Sequence, residues 1–224
     1  MNTAIIVAAG AGSRIGSHKP KQFLEIHGKP IIIHTLERFE ACPVIDEILL
    51  VLPESELDTF RQVLEKFSIK KIAKIVAGGV TRAESVSNGL KAASEQTKIV
   101  AVHDGARPLV TVDEISRTIA SAVKSGAACP VAPITDTIKE VSDEKITRTV
   151  DRSHLRRALT PQAFRVDILK KAFENADLSE SITDECYLVE KLGVEIATVE
   201  GSPRNIKITH PEDLMLAELF LKTG

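Results

Sequence analysis

The sequence predicts an α/β fold in which helices flank a mostly parallel twisted sheet and a β-hairpin arm protrudes. Two observations lead to this prediction. Short apolar runs alternate with longer segments of helical periodicity, as in parallel sheets that are covered on both faces. From residue 135 onward, two alternating strand patterns around a polar turn interrupt that rhythm.

The first half of the chain supplies the predicted sheet and most of its helices. Strands are expected over Ala4–Ala8, Glu47–Val51, Lys74–Ala77, Lys98–His103 and Ala127–Ala132. Helices are expected between them over Pro30–Glu40, Ser55–Phe67, Arg82–Ala93 and Val112–Lys124. The first helix is the clearest, because proline suits a first helical turn and Ile32, Leu36 and Phe39 follow at helical spacing.

The second half begins with the arm, expected at about residues 135–151. DTIKEV and KITRTV flank SDE, and their faces carry few large apolar residues, so this hairpin should project from the body. Beyond it we expect helices over Val166–Asn175 and Asp184–Lys191, strands over Val194–Val199 and Asn205–Thr209, and a last helix from Pro211. Residues 1–224 are therefore predicted to form a single domain with the arm inserted.

Composition narrows the class of protein. Of 224 residues, 43% are hydrophobic and 27% charged, and the net charge is -2, so no overall field favours nucleic acid or membrane partners. Three scattered cysteines indicate reduced thiols rather than a disulfide framework. The N-terminus lacks a basic lead and a long apolar run, so no signal peptide is expected and the predicted location is cytoplasmic.

The strongest local motif, AAGAGSRIG over residues 8–16, directly follows the first predicted strand. Glycines there allow close approach of the backbone, whose amides can cradle phosphate. The glycine spacing does not match G-x-G-x-x-G, and no Gly-Lys-Ser/Thr of a P-loop follows. Instead Arg14, Lys19 and Lys21 are close by, which favours a site for several phosphates over an ordinary surface loop.

Two further motifs lie where predicted strands end. In HDGARP, Asp104 could be a magnesium ligand, a turn residue or the ion-pair partner of Arg107. In GGVTRAESV, the Gly79 amide or the Ser85 hydroxyl could read a base, while Ser85 taken alone could equally be an ordinary helix-surface serine.

Cations also occur in two later segments. Arg152 ends TVDR, and Lys207 lies in NIKIT, where Lys207 and Thr209 should share the face opposite Ile206 and Ile208. Taken alone, either segment could equally be a solvated strand face.

Together these segments resemble the 2-C-methyl-D-erythritol 4-phosphate cytidylyltransferase family, the CTP-using enzymes of the non-mevalonate isoprenoid pathway. The resemblance covers essentially the whole chain, through the order and spacing of AAGAGSRIG, KPKQF, GGVTRAESV, HDGARP, DTIKEV, TVDR, LTPQAF, ITDE and NIKIT followed by PEDL. Gly105 departs from the alanine more often expected in this family, but leaves Asp104 and Arg107 in place.

The resemblance implies a Rossmann-like nucleotidyltransferase fold, Mg2+ as cofactor, and a homodimer whose arms interlock. It implies that Arg14 and Lys21 stabilise the transition state, and that Arg152 and Lys207 position the methylerythritol phosphate. The implied nucleotide-binding positions are Ala8, Ala9, Gly10, Gly12, Gly79, Ser85 and Asp104, with Asp104 at the metal and ribose end. Further implied substrate contacts are Thr137, Arg107, Thr160 and Thr183.

The implied reaction joins CTP and 2-C-methyl-D-erythritol 4-phosphate to give 4-CDP-2-C-methyl-D-erythritol and pyrophosphate. Three alternatives remain: a ribitol 5-phosphate cytidylyltransferase, another sugar-phosphate nucleotidyltransferase that uses a different base, and a non-catalytic nucleotide-binding regulator. TVDR and Ala106 favour the methylerythritol substrate. The presence of all four implied catalytic cations favours an enzyme over a regulator.

Overall fold

The structure, a computed structural model, describes residues 1–10, 20–177 and 182–223. Its strands, in chain order, are β1 (Asn2–Val7), β2 (Glu25–Ile26), β3 (Lys29–Pro30), β4 (Glu47–Leu52), β5 (Ile72–Ala77), β6 (Ile99–Asp104), β7 (Ala127–Pro133), β8 (Ile138–Ser142), β9 (Lys145–Val150), β10 (Arg156–Ala158), β11 (Gln162–Arg165) and β12 (Ala197–Glu200). Its α-helices are α1 (Ile31–Glu40), α2 (Leu57–Leu64), α3 (Arg82–Ala92), α4 (Val112–Ser125), α5 (Val166–Glu174), α6 (Glu185–Lys191) and α7 (Pro211–Thr223).

A mostly parallel sheet forms the centre of the described residues, as predicted. It has eight strands in the order β10-β7-β11-β6-β1-β4-β5, with β12 also paired to β7. Strand β1 runs parallel to both β4 and β6, and its Val7 is the register partner of Asp104 at the end of β6. The first glycine motif and the HDGARP motif therefore leave the sheet side by side at its carboxyl edge.

Helices cover both faces of this sheet, because β1 carries apolar side chains on both faces. Ile6 packs in a buried cluster that includes Leu36 of α1 and Ile115 of α4. Its neighbour Ile5 points to the opposite face and packs in a cluster with Val86 of α3. Because successive side chains of a strand point to opposite faces of the sheet, each helix layer packs against its own core.

The predicted arm is a hairpin of β8 and β9, joined at a two-residue turn. Ser142 pairs with Lys145, and Asp143 and Glu144 between them have φ values of 48° and 62°. Positive φ at both central residues suits the right-handed twist of a hairpin. Val141 and Ile146 on the arm are 58% and 65% exposed, so the arm projects as expected.

The predicted strand Asn205–Thr209 is not found, and two strands of the LRRALTPQAF region, β10 and β11, were not predicted. Strand β11 lies antiparallel between β6 and β7. None of the helices in the described parts of the chain combines the length and apolar character needed to cross a bilayer.

Candidate active site

A cavity of about 340 Å³ opens at the carboxyl edge of β1 and β6. It lies between the end of β1, the loop from β5 to α3, the end of β6 and the segment before α7. Eight of the residues singled out in the sequence line it: Ala8, Ala9, Gly10, Lys21, Gly79, Ser85, Asp104 and Lys207. Motifs far apart in the chain therefore form one site.

Ser85 is buried inside the loop that starts α3, so the helix-surface interpretation of this residue is wrong. Its Oγ accepts a hydrogen bond from the Gly79 amide over 3.1 Å and donates to the Thr81 carbonyl over 2.9 Å. Thr81 caps α3, accepting from the Glu84 amide over 3.1 Å, while the Glu84 carboxylate accepts from the Thr81 amide in return. These bonds hold the backbone of the Gly79 loop rigid at the cavity wall.

Asp104 is the electrostatic centre of the site. Its Oδ1 accepts a hydrogen bond from Arg82 Nε over 3.1 Å, and its Oδ2 contacts Arg107 Nε over 3.2 Å and Lys207 Nζ over 3.0 Å. Burial raises the pKa of this carboxyl, but the three cations more than offset burial and hold its pKa far below the usual range. Asp104 is therefore ionised, and the pairing with Arg107, one of the alternatives that the sequence left open, is present.

Behind Asp104, His103 and Thr160 form a buried support. His103 Nε2 lies 3.2 Å from the Arg107 carbonyl, which can only accept, so this nitrogen carries the proton. Thr160 Oγ1 then donates to His103 Nδ1 over 2.9 Å and accepts from the Asp104 amide over 3.2 Å. Burial lowers the pKa of His103 to about 3, so the imidazole is neutral and serves to hold the strand end.

Residues 205–209 form no strand, and long side chains from other segments donate to two of their carbonyl groups. Arg107 Nη1 donates to the Asn205 carbonyl and Lys21 Nζ to the Ile208 carbonyl, each over 2.8 Å. Lys207 and Thr209 nevertheless share one face of the segment, as predicted, since both line the cavity. Ile208 is buried on the other side.

Other predicted residues lie elsewhere. Arg107 and Thr160 contact Asp104 from outside the cavity lining. Thr137, Arg152 and Thr183 are exposed and are not among the described residues that line the cavity. Arg152 Nη1 donates instead to the carbonyl of Thr135 at the base of the arm. Gly12 and Arg14 lie outside the described residues.

Sequence reasoning gave no role to Arg82 or Gln22, which also line the cavity. Arg82 is the first residue of α3 and pairs with Asp104. Gln22 is 2% exposed and donates from Nε2 to the Ala8 carbonyl over 2.6 Å. Both lie inside motifs singled out in the sequence: Arg82 is in GGVTRAESV, three residues after Gly79, and Gln22 directly follows Lys21 in KPKQF.

A cavity at the carboxyl edge of a mostly parallel sheet, lined by Ala8, Ala9 and Gly10 and by lysine and arginine side chains, is typical of the Rossmann-like nucleotidyltransferase class. The chain belongs to the IspD family, 2-C-methyl-D-erythritol 4-phosphate cytidylyltransferase, whose model matches residues 2–223.

Individual relatives agree with this assignment. A 2-C-methyl-D-erythritol 4-phosphate cytidylyltransferase of Syntrophus aciditrophicus is 48% identical over 98% of this chain and 95% of its own length. The solved 4-diphosphocytidyl-2C-methyl-D-erythritol synthase of Anaerococcus prevotii has a TM-score of 0.86 at 31% identity, covering 99% of this chain and 96% of that one. A 2-C-methyl-D-erythritol 4-phosphate cytidylyltransferase of Thermus thermophilus gives 0.80 at 35% identity, covering 99% and 100%.

Proposed function

We propose that this chain transfers the cytidylyl group of CTP to 2-C-methyl-D-erythritol 4-phosphate, releasing pyrophosphate, in isoprenoid precursor synthesis. The observation that carries the proposal is the cationic cavity, in which the described lining residues include Lys21, Arg82 and Lys207 but one carboxylate, Asp104. Such a site suits two anions that must be brought together. The names of the relatives supply the base and the acceptor.

In the proposed reaction, an oxygen of the acceptor phosphate attacks the α-phosphorus of CTP in line with the leaving pyrophosphate. A phosphate monoester has its second pKa near 6, so the nucleophile is largely dianionic at pH 7 and needs no general base. The site agrees with this, because the neutral His103 has both ring nitrogens in structural hydrogen bonds. Lys21, with Arg14, would offset charge on the α-phosphate and the leaving group, and Lys207 would hold the acceptor phosphate.

The donor set at Asp104 fits magnesium as the cofactor. The described residues contain no group of three or more His, Cys, Asp or Glu side chains arranged to hold a metal. Magnesium in nucleotide sites takes one or two carboxylates plus phosphate oxygens, and Asp104 offers one carboxylate at the cavity wall. When bound with CTP, the ion would neutralise charge on the triphosphate.

The first prediction is that pyrophosphate release requires CTP, magnesium and methylerythritol phosphate together. Each of the four nucleoside triphosphates would be incubated with methylerythritol phosphate or ribitol 5-phosphate, with and without EDTA, and pyrophosphate measured. Equal or greater turnover with ribitol 5-phosphate would overturn the acceptor assignment. CTP binding without any turnover would instead favour a regulator.

The second prediction concerns Lys207. Replacing it with alanine removes one charged contact to the acceptor phosphate, so the acceptor KM should rise at least about tenfold, the scale of a charge-assisted hydrogen bond. Initial rates at saturating CTP would measure this effect. Lys222→Ala, a lysine in the last turn of α7, provides a control. An acceptor KM unchanged in Lys207→Ala would remove this residue from the acceptor site.

We further propose that the whole chain works as one domain and that two copies form a homodimer through the arm. The support is the exposed hairpin, because an isolated hairpin is marginal in water and its exposed Val141 and Ile146 need a surface to pack against. A cytosolic location fits the three cysteines, which are free and buried.

A further inference from the structure

Arg82 bridges two carboxylates at the nucleotide side of the cavity. Its Nε donates to Asp104, while Nη1 and Nη2 donate to the two carboxylate oxygens of Glu185 over 2.5 and 3.1 Å. A planar guanidinium that makes such a two-pronged contact has its orientation fixed. The Arg82 side chain is 22% exposed and lines the cavity, whereas that of Glu185 is completely buried.

The position of Glu185 is itself set by a buried neighbour. Oε1 of Gln162 accepts hydrogen bonds from the backbone amides of Glu185 and Cys186, each over 3.1 Å, at the start of α6. Gln162 also begins β11, which pairs with β6, the strand that ends at Asp104. The start of α6 is therefore tied to the same part of the sheet that presents Asp104 to the cavity.

The pair has no evident advantage for stability alone. A buried ion pair loses the hydration of both charges, and well-packed apolar residues often replace one without loss of stability. What the pair supplies is orientation, because Arg82 holds Oδ1 of Asp104 while Lys207 and Arg107 hold Oδ2. Without Arg82, the carboxylate is held only at Oδ2, by Lys207 and Arg107, and can turn toward the acceptor side.

We propose that Arg82 and Glu185 are positioning residues for the nucleotide end of the site. Glu185 orients the guanidinium of Arg82, and Arg82 holds the carboxylate of Asp104 and the adjoining cavity wall in the geometry that CTP binds. The role rests on the cytidylyltransferase function proposed above. Glu185 thus acts on a cavity that it does not line.

The test starts with Glu185→Gln, which keeps the side-chain volume but removes its charge and one acceptor oxygen. We expect the CTP dissociation constant, measured by calorimetry without acceptor, and the KM for CTP to rise at least about tenfold, as for loss of one coupled contact. The acceptor KM should change less than about threefold, because Lys207 keeps its contact with Oδ2 of Asp104. A merely structural role would lower the melting temperature without separating the two KM values.

Glu114→Gln is the matched control. Glu114 is also buried, at 2% exposure, and its carboxylate accepts from the backbone amides of Thr111 and Ser202 away from the cavity lining. This variant should lose stability and keep wild-type affinity for CTP. Folded Glu185→Gln protein with wild-type CTP affinity would overturn the proposal, as would an equal loss of affinity in Glu114→Gln.

A double-mutant cycle tests whether Glu185 acts through Arg82. Arg82→Lys keeps the charge but loses the planar fork, so it should weaken CTP binding by itself, and adding Glu185→Gln should change the affinity by less than about twofold further. If the two substitutions instead weakened CTP binding by independent factors that multiply in the double variant, Glu185 would not act through Arg82. Binding and turnover of CTP by the wild-type protein test the proposed function. The ratio of each variant's CTP dissociation constant to that of the wild type tests the present proposal.

Discussion

Replacing Lys21 with alanine is expected to lower kcat by at least about 100-fold, the scale of losing one preorganised charge contact in a transition state. Lys21 lines the cavity, where its Nζ donates to the Ile208 carbonyl over 2.8 Å. The next residue, Gln22, is buried and donates to the Ala8 carbonyl, so the backbone that carries Lys21 is anchored to the residue that follows β1. A charge held in this way needs no reorganisation when the α-phosphate gains charge.

The measurement is kcat at saturating CTP and acceptor, with folding checked by thermal melting. Lys29→Ala is the matched control, since Lys29 is paired with Glu37 over 2.7 Å and is not among the described cavity-lining residues. Its kcat should equal that of the wild type. Wild-type kcat in Lys21→Ala would remove Lys21 from any role in the transition state.

Mixing two inactive variants should restore activity if the arm completes the partner's site. Arg152 lies next to the arm, is exposed, and is not among the described residues that line its own cavity. If each site receives Arg152 from the other subunit, a Lys21→Ala/Arg152→Ala heterodimer contains one site with neither defect. The assembly would be a closed two-fold dimer with self-complementary contacts.

The two variants would be unfolded together, refolded and assayed. A random mixture is half heterodimer, so about a quarter of the wild-type activity per total site should return. Each variant refolded alone controls for residual activity, and mass spectrometry or tagged subunits would count the heterodimers. No recovery in the presence of heterodimers would place Arg152 in the site of its own subunit.

Much of the fold could be predicted from the sequence because the signals are local. Apolar runs predicted β1, β4, β5, β6 and β7 to within a few residues, since strands such as β1 and β6 that are covered on both faces are mostly apolar. The loop motifs marked where strands end, and parallel strands bring their carboxyl ends to one edge. The family resemblance placed Asp104, Gly79 and Lys21 in one site, and all three line the cavity at this edge.

What the sequence by itself determined is thus the order of the elements, the identity of the loops at the sheet edge and the family resemblance that they carry. Only the tertiary structure decided which groups bond across long separations. Arg82 and Glu185 are 103 positions apart, and residues 205–209 accept hydrogen bonds from the distant side chains of Lys21 and Arg107 instead of forming the predicted strand. Local propensity cannot specify such partners, because a hydrogen bond or ion pair exists only after packing has brought both groups to the same place.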